Sequence, residues 1–347
     1  MVARSFGAGR PGTVVNLDVT VVGSGSWGSG FARLLARHGH RVQVLTLTAE
    51  EAATLTATHE NPHFLPGVAL PLEIRFVAIG DADISASDLV VYAVPTQAVR
   101  EVARWVAPRR LAGSLQLSLA KGYELKTLKR PTQVIEEETG SPAAALSGPN
   151  HAEEVSKDMP SATVIAAADE TMAVALQAAI TSDTFRVYTN DDVVGVEFCG
   201  AVKNHIAVAV GMSDGLGFGD NSRASLITRS VAEITRLGAI QGAHIATVTG
   251  LAGIGDLIAT CTSRHSRNRL AGELLAKGAS PAEVQRQVGQ VVEGIPTAYA
   301  LHDLAGRLGI DMPVTENVYQ VLEGLRTPQE CVADLMGRAP KKERHEE

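Results

Sequence analysis

The sequence predicts an α/β domain built on a doubly wound, mostly parallel sheet, followed by an all-helical domain. Three observations carry this. Short β-branched and apolar runs alternate with helical spacing from residue 17 to about residue 190. The first of these runs leads straight into a glycine-rich turn and a helix. Beyond Asn190 the strand pattern stops, and the apolar residues follow helical periods.

Length and composition agree with two globular domains. The chain has 347 residues, and domains average roughly 150 residues. Hydrophobic residues make up 45% and charged ones 20%, an ordinary globular composition that buries a core without disulfide or metal staples. A net charge of −7 argues against a nucleic-acid binder, which carries a basic footprint. Cys199, Cys261 and Cys331 are far apart, with no CxxC and no Cys/His ligand spacing. They read as small buried hydrophobes of a reducing compartment, and no metal site is expected. Residues 1–16 lack the apolar run of a secretory signal and read as a disordered leader. Residues 341–347 (KKERHEE) form a charged tail. No stretch reaches the roughly 18 uninterrupted apolar residues of a membrane span.

Asp18–Val22 (DVTVV) is the first strand, and it runs into Gly23-Ser-Gly25-Ser26-Trp27-Gly28. A helix with Phe31, Leu34, Leu35 and His38 on one face follows, then a strand at Arg41–Leu45. Strand, GxGxxG, helix and strand in this order form a dinucleotide-binding fingerprint. The first glycine permits the tight turn and the second lets backbone approach a pyrophosphate. The third lets helix and strand pack closely, while the helix N-terminus presents N–H groups to phosphate. A ribose-binding acid or a 2′-phosphate-binding arginine normally ends the second strand. Leu45-Thr46-Leu47-Thr48 stands there, with Glu50 and Glu51 only afterwards, so NAD and NADP are not distinguished.

Strands follow at Ile74–Val77, Asp88–Val94, Ser114–Leu119, Ala143–Leu146, Ala162–Ala167 and Phe185–Val187, with helices at Thr96–Val106 and Glu170–Ile180. Ligands of such sheets lie at the C-terminal strand ends. Pro95, Lys121 and the Ser147–Asn150 loop fall at those ends; a lone lysine is more often a surface residue, but its place at a strand end before a glycine favours a ligand role for Lys121.

Asp191-Asp192 supplies the cap of a long apolar helix whose stretch Gly195–Met212 has Lys203 and Asn204 in its middle. A buried ammonium costs several kcal/mol unless it is paired or its pKa falls. The plain alternative is a lysine that snorkels to solvent or meets a structural carboxylate. Met212–Asp220 (MSDGLGFGD) is glycine-rich and reads as a loop. Helices are expected at Leu226–Leu237, around Ala243–Thr249, from Ser263 to Leu275, and at Pro296–Leu308, Val314–Leu325 and Pro328–Met336. His205, beside Lys203 but on another face, reads as a core histidine.

Hydride transfer to a ketone creates an alkoxide, so its site needs a proton donor or a cation beside that oxygen. A lysine in a dry helix meets that need, because desolvation moves its pKa towards neutrality. Asp256 would orient it, and Arg267 with Asn268 would hold a phosphate. No Ser-His-Asp, Cys-His or metal-ligand order competes.

These residues, taken with GSGSWG at 23–28, NPHFLPG at 61–67, SLAKG around Lys121 and SGPN at 147–150, resemble the bacterial NAD(P)-dependent glycerol-3-phosphate dehydrogenases. GAVKN at 200–204, GMSDGLGFG at 211–219, AGIGDLIATCTSRHSRNR at 252–269 and GQVVEG at 289–294 extend the resemblance over residues 17–340. It implies a Rossmann-like domain over residues 17–190 and a helical substrate domain over residues 191–340. It further implies reversible reduction of dihydroxyacetone phosphate to sn-glycerol 3-phosphate with NAD(H) or NADP(H), for phospholipid synthesis, by a cytoplasmic homodimer. Lys203 is then the acid/base, assisted by Lys121 and Asp256. Substrate falls to Lys121, Gly148, Asn150, Lys203, Asp256, Ser266, Arg267 and Asn268. The cofactor falls to Gly23, Gly25, Ser26, Trp27, Gly28, Lys121, Ala152, Arg267, Val291 and Glu293.

Departures from the family pattern leave no proposed catalytic group missing. Leu45 and Leu47 stand where a Trp and a basic residue are frequent, Ser29-Gly30 replaces Thr-Ala, and His151 and His205 replace apolar residues. The rival readings are a lysine-dependent reductase of carboxylate substrates, related to 3-hydroxyacid dehydrogenases or ketopantoate reductases, and a nucleotide sensor that has lost catalysis. Arg267-Asn268 disfavours the first, and retention of Lys203 and Asp256 disfavours the second.

Overall fold

The computed structural model describes Asn16–Pro340 and Lys342. The disordered leader and the charged tail expected from the sequence therefore lie outside the described residues, apart from Asn16 and Lys342. Among the described residues ten strands occur: β1 (Asp18–Val22), β2 (Arg41–Thr46), β3 (Glu60–Asn61), β4 (Leu65–Ala69), β5 (Arg75–Ala78), β6 (Leu89–Tyr92), β7 (Leu115–Ser118), β8 (Ala144–Ser147), β9 (Ser161–Ala166) and β10 (Phe185–Asn190). Among them run the helices α1 (Ser26–Arg37), α2 (Ala49–Thr58), α3 (Val99–Val106), α4 (Pro131–Thr139), α5 (Ala152–Val155) and α6 (Glu170–Ile180). Then follow α7 (Val193–Gly215), α8 (Asp220–Gln241), α9 (Ile245–Val248), α10 (Asp256–Thr262), α11 (Arg267–Ala276), α12 (Pro281–Val288), α13 (Gly294–Leu308), α14 (Pro313–Leu322) and α15 (Pro328–Gly337).

The chain divides into two compact units, one of residues up to 203 with 238–259, the other of 204–237 with residues from 260 onwards. In the first unit an eight-stranded sheet has the order β10-β9-β8-β7-β6-β1-β2-β5. Every neighbouring pair is parallel except β8 and β9. Strand side chains alternate between faces, and both faces are apolar, as an interior parallel sheet requires. Val19, Val21, Val44 and Val91 join Phe31, Leu35, Leu176 and Ile180 of α1 and α6 in one core. Val22, Leu45, Val90 and Tyr92 join Val99, Val102, Val106 and Ile135 of α3 and α4 in the other.

The reversal at β9 was not expected. Its connection from β8 contains only the single turn α5, too little helix for a crossover, so β9 returns beside β8 antiparallel and β10 follows it. The C-terminal ends of β1, β2, β5, β6, β7 and β8 consequently share one sheet edge with the N-terminal end of β9. The helix expected from Thr96 begins as a 3-10 turn at Thr96–Ala98. The helices α2, α4, α5, α10 and α12 and the β3–β4 ribbon were not anticipated.

In the second unit Val208, Met212, Ala271, Leu275, Val284, Val292, Ala298, Val314 and Val318 form the core. The predicted loop at Met212–Asp220 needs correction, because α7 runs on to Gly215. Its glycines serve close packing. A Cβ at Gly211 would lie 1.9 Å from the Arg269 carbonyl oxygen, and one at Gly215 would lie 2.7 Å from Ala276 Cβ. Residues 193–215 and 245–262 are apolar and long enough to cross a membrane by length and composition, but the most apolar window of the first is 89% buried within the protein.

Candidate active site

The glycine turn is built as its spacing demands. Gly23 donates its N–H to the Leu45 carbonyl (3.0 Å) and has φ +108. A Cβ there would lie 2.5 Å from the Ala93 oxygen, and one at Gly28 would lie 2.1 Å from the Gly23 oxygen. Around Gly25, by contrast, no described atom beyond its flanking residues and the backbone of α1 lies within 4 Å of where a Cβ would sit. This open backbone at the N-terminus of α1 fits the pyrophosphate of a dinucleotide.

The β3–β4 ribbon braces the turn. Asn61 Nδ2 donates to the Ser24 carbonyl (2.6 Å) and to Ser29 Oγ (2.9 Å), and Ser26 Oγ donates to the Phe64 carbonyl (2.6 Å). Trp27 packs on Phe31 and Phe185 and against the small core of Leu65, Val68 and Ala152. Gly30 lets α1 approach α5, since a Cβ there would meet Ser156 Oγ at 2.7 Å. The Ser29-Gly30 departure thus has a packing reason.

Further along the same sheet edge, Lys121, Asp256 and Lys203 converge. Lys203 Nζ donates to Asp256 Oδ1 at 2.6 Å, and Lys121 Nζ donates to Oδ2 at 2.8 Å. Lys203 is 7% exposed and Asp256 only 2%. Burial alone would raise the Asp256 pKa, but the two ammonium groups hold it below the usual carboxylate range. Lys121 also donates to the Gly148 carbonyl (3.1 Å) and to Asn150 Oδ1 (3.1 Å). Asn150 Nδ2 donates to Thr163 Oγ1 (3.1 Å), whose hydroxyl donates to the Ser147 carbonyl (3.1 Å). The reversed β9 therefore supplies the residue that fixes the Asn150 amide.

Backbone explains why the three charges meet. Gly200 lets α7 approach the end of β8, where a Cβ would lie 2.6 Å from Ser147 Oγ. Asp192 caps α7 as expected, accepting from the Gly195 N–H at 2.7 Å, and its other oxygen accepts from His244 N at 2.8 Å. A π turn at Leu251–Gly255 sets Asp256 at the head of α10; such turns recur at functional sites. His151 borders the group, donating from Nε2 to the Ala259 carbonyl (3.3 Å). Burial, with Lys203 adding to it, pushes its pKa down.

The remaining predicted residues lie in the second unit. Ser266 caps α11, accepting from Arg269 N at 3.2 Å. Asn268 Nδ2 donates to Asn204 Oδ1 (2.9 Å) while its own Oδ1 accepts from Gly294 N (2.9 Å). Arg267 Nη1 donates to Gln290 Oε1 (3.1 Å) and to the Val291 carbonyl (3.4 Å). Glu293 is the residue before α13. Buried His205 bonds through Nε2 to Thr315 Oγ1 (3.0 Å), in keeping with a core histidine.

Sequence reasoning missed Asn61 and Asn204 as members of these networks. Asn204 was noticeable as a polar residue in an apolar helix, but its partner is 64 positions away. Asn61 lies in a two-residue strand without periodicity.

Residues 18–173 match the family described as NAD-dependent glycerol-3-phosphate dehydrogenase N-terminus, and residues 192–333 match its C-terminus. Glycerol-3-phosphate dehydrogenase (NAD(P)+) of Moorella thermoacetica is 50% identical over 92% of this chain and 96% of its own length. The protein of that name from Pelodictyon phaeoclathratiforme is 44% identical over 94% of this chain and its own full length (100%). Among solved structures, glycerol-3-phosphate dehydrogenase of Coxiella burnetii superposes with a TM-score of 0.89 at 35% identity, covering 93% of this chain and 99% of that one.

Proposed function

This chain belongs to the NAD-dependent glycerol-3-phosphate dehydrogenase family, and from that premise we propose that Lys203 is the proton donor and acceptor at the C2 oxygen of dihydroxyacetone phosphate. The enzyme interconverts that ketone and glycerol 3-phosphate with NAD(P)(H). Bound nicotinamide supplies the hydride that C2 gains in reduction. The carbonyl oxygen takes a proton from the Lys203 ammonium, leaving a neutral amine; in oxidation the amine takes it back. Asp256 stays ionised through both directions and fixes the Lys203 amine. Lys121 keeps that carboxylate charged and, with Gly148 and Asn150, positions substrate.

The observation that carries this reading is one buried carboxylate bonded to two lysines drawn from distant segments. A buried triad of this kind costs more than an apolar substitute, so a stability role accounts for it poorly. We further propose that Ser266, Arg267 and Asn268 hold substrate, with the latter two at its phosphate. Gly23, Gly25, Ser26, Trp27, Gly28, Lys121, Ala152, Arg267, Val291 and Glu293 serve the cofactor. Division of labour at about residue 190 belongs to the same proposal and is supported by the end of the strands at Asn190.

A cytoplasmic homodimer supplying phospholipid precursor completes the reading. Three buried free cysteines favour a reducing compartment, and Leu325 and Met336, 69% and 81% exposed, offer apolar surface for a second copy. Helix α7 is proposed as a core helix with no membrane role, because Glu197 and Lys203 within it are buried on charged partners. The test is NADH and NADPH oxidation at 340 nm with dihydroxyacetone phosphate against ketopantoate. Turnover of the phosphate ketone alone is expected; turnover of the carboxylate alone would overturn the substrate assignment.

A further inference from the structure

We propose that Glu51 sets the nucleotide preference of this enzyme, selecting NAD(H) over NADP(H) by holding a carboxylate beside the adenosine ribose position. The inference rests on the dinucleotide reading of the glycine turn. Glu51 Oε1 accepts from Ser24 Oγ at 2.5 Å, and Oε2 accepts from the Leu47 N–H at 3.3 Å. Ser24 lies between the first two glycines of the turn, and Leu47 is the first residue after β2. Dinucleotide folds bring the adenosine ribose between these two segments. The acid that normally ends the second strand is absent here, but a side chain one helical turn later reaches back to the same place.

Helix capping explains how it does so. Thr48 is the N-cap of α2, and its Oγ1 accepts from Glu51 N at 3.2 Å. A glutamate at that position usually returns its carboxylate to the capping backbone. Here one oxygen accepts instead from Leu47 N, one residue before the cap, and the other lies on the phosphate-binding turn at Ser24. No lysine or arginine occurs after β2 from Leu47 to Glu51, nor after β5 from Ile79 to Asp83, where Asp81 and Asp83 add negative charge. A ribose 2′-hydroxyl can donate to Glu51. A 2′-phosphate would set nearly two further negative charges against it, with no cation on either segment to offset them.

The measurement is direct binding of NADH and NADPH to the substrate-free wild type, by nucleotide fluorescence or calorimetry. The expected wild-type Kd for NADH is at least about tenfold below that for NADPH. In Glu51→Gln the two should fall within about threefold, chiefly through tighter NADPH binding. Raising salt from about 0.05 to about 0.5 M should narrow the wild-type gap, because charge repulsion is screened and steric exclusion is not. The proposal is overturned if wild type binds NADPH as tightly as NADH, or if folded Glu51→Gln keeps the wild-type ratio. Should that variant not fold, a wild-type gap that widens or stays fixed with salt overturns it equally. A wild type that binds neither nucleotide removes the dinucleotide reading as well, whereas equal binding of both removes only the role of Glu51.

Discussion

Asp256 carries two lysines on its two oxygens, and that sharing holds the charges of the site together. Replacing it with Asn keeps the shape but leaves two buried ammonium groups without a counter-charge. We expect Asp256→Asn to lose about 10²-fold or more in kcat and roughly 3–5 kcal/mol of stability, read from steady-state rates and urea midpoints. A variant with wild-type kcat would remove Asp256 from the mechanism. His151 gives a pH prediction at the same scale. Burial depresses its native pKa, so the unfolded chain binds the proton more readily, and stability contributed by His151 is lost as pH falls below about 6.5. The acid limb of a stability–pH curve should therefore flatten in His151→Leu; an unchanged limb contradicts this. Lys203, Asp256 and Arg267 were legible because charged residues in apolar or glycine-rich runs stand out. Glu51 was visible but undecided, since only the course of α2 turns its carboxylate back to Ser24.

Elements show where glycine misleads. MSDGLGFGD contains the glycines of a turn, yet its Gly215 lies inside α7 against α11. Composition alone does not distinguish a glycine that bends the chain from one that admits a neighbour. Gly215→Ala should cost about 1–3 kcal/mol through overpacking against Ala276, against under about 0.5 kcal/mol for an exposed loop; thermal unfolding separates the two. The sheet strands and the long helices were legible from periodicity, but α2, α4, α5, α10 and α12 were not, β3 and β4 were too short to carry any, and the reversal at β9 depends on connection length. A second pH prediction belongs to α8 and α14. Glu233 accepts from Val314 N at 2.7 Å, and burial pushes its pKa up to about 7. The native state therefore holds a proton that the unfolded state has released, and this contribution declines from about pH 4.5 to about pH 7. Glu233→Gln, compared with wild type at pH 5 and pH 8, should gain relative stability of about 1–3 kcal/mol at the higher pH. No change in the difference would refute the assignment.

At the scale of the molecule, sheet and glycine turn supply a dinucleotide platform, and the lysine–aspartate group lies on that same sheet edge. Whole-chain composition argued against a nucleic-acid partner but was silent about which ketone is reduced; the family matches decide that. Homodimerisation predicts a sedimentation mass of twice the 36.4 kDa chain, and a Leu325→Glu/Met336→Glu double variant should move that mass towards one chain. A wild type that sediments as one chain would contradict it. The central claim is that Lys203 moves the proton at C2. Its most direct test is a single-turnover comparison of wild type and Lys203→Ala, with dihydroxyacetone phosphate and saturating reduced nucleotide, after equal nucleotide Kd values are established. Loss of the proton donor should leave the nucleotide Kd intact and lower the hydride-transfer rate by about 10²-fold or more. A Lys203→Ala protein that binds nucleotide normally and transfers hydride at the wild-type rate would contradict it.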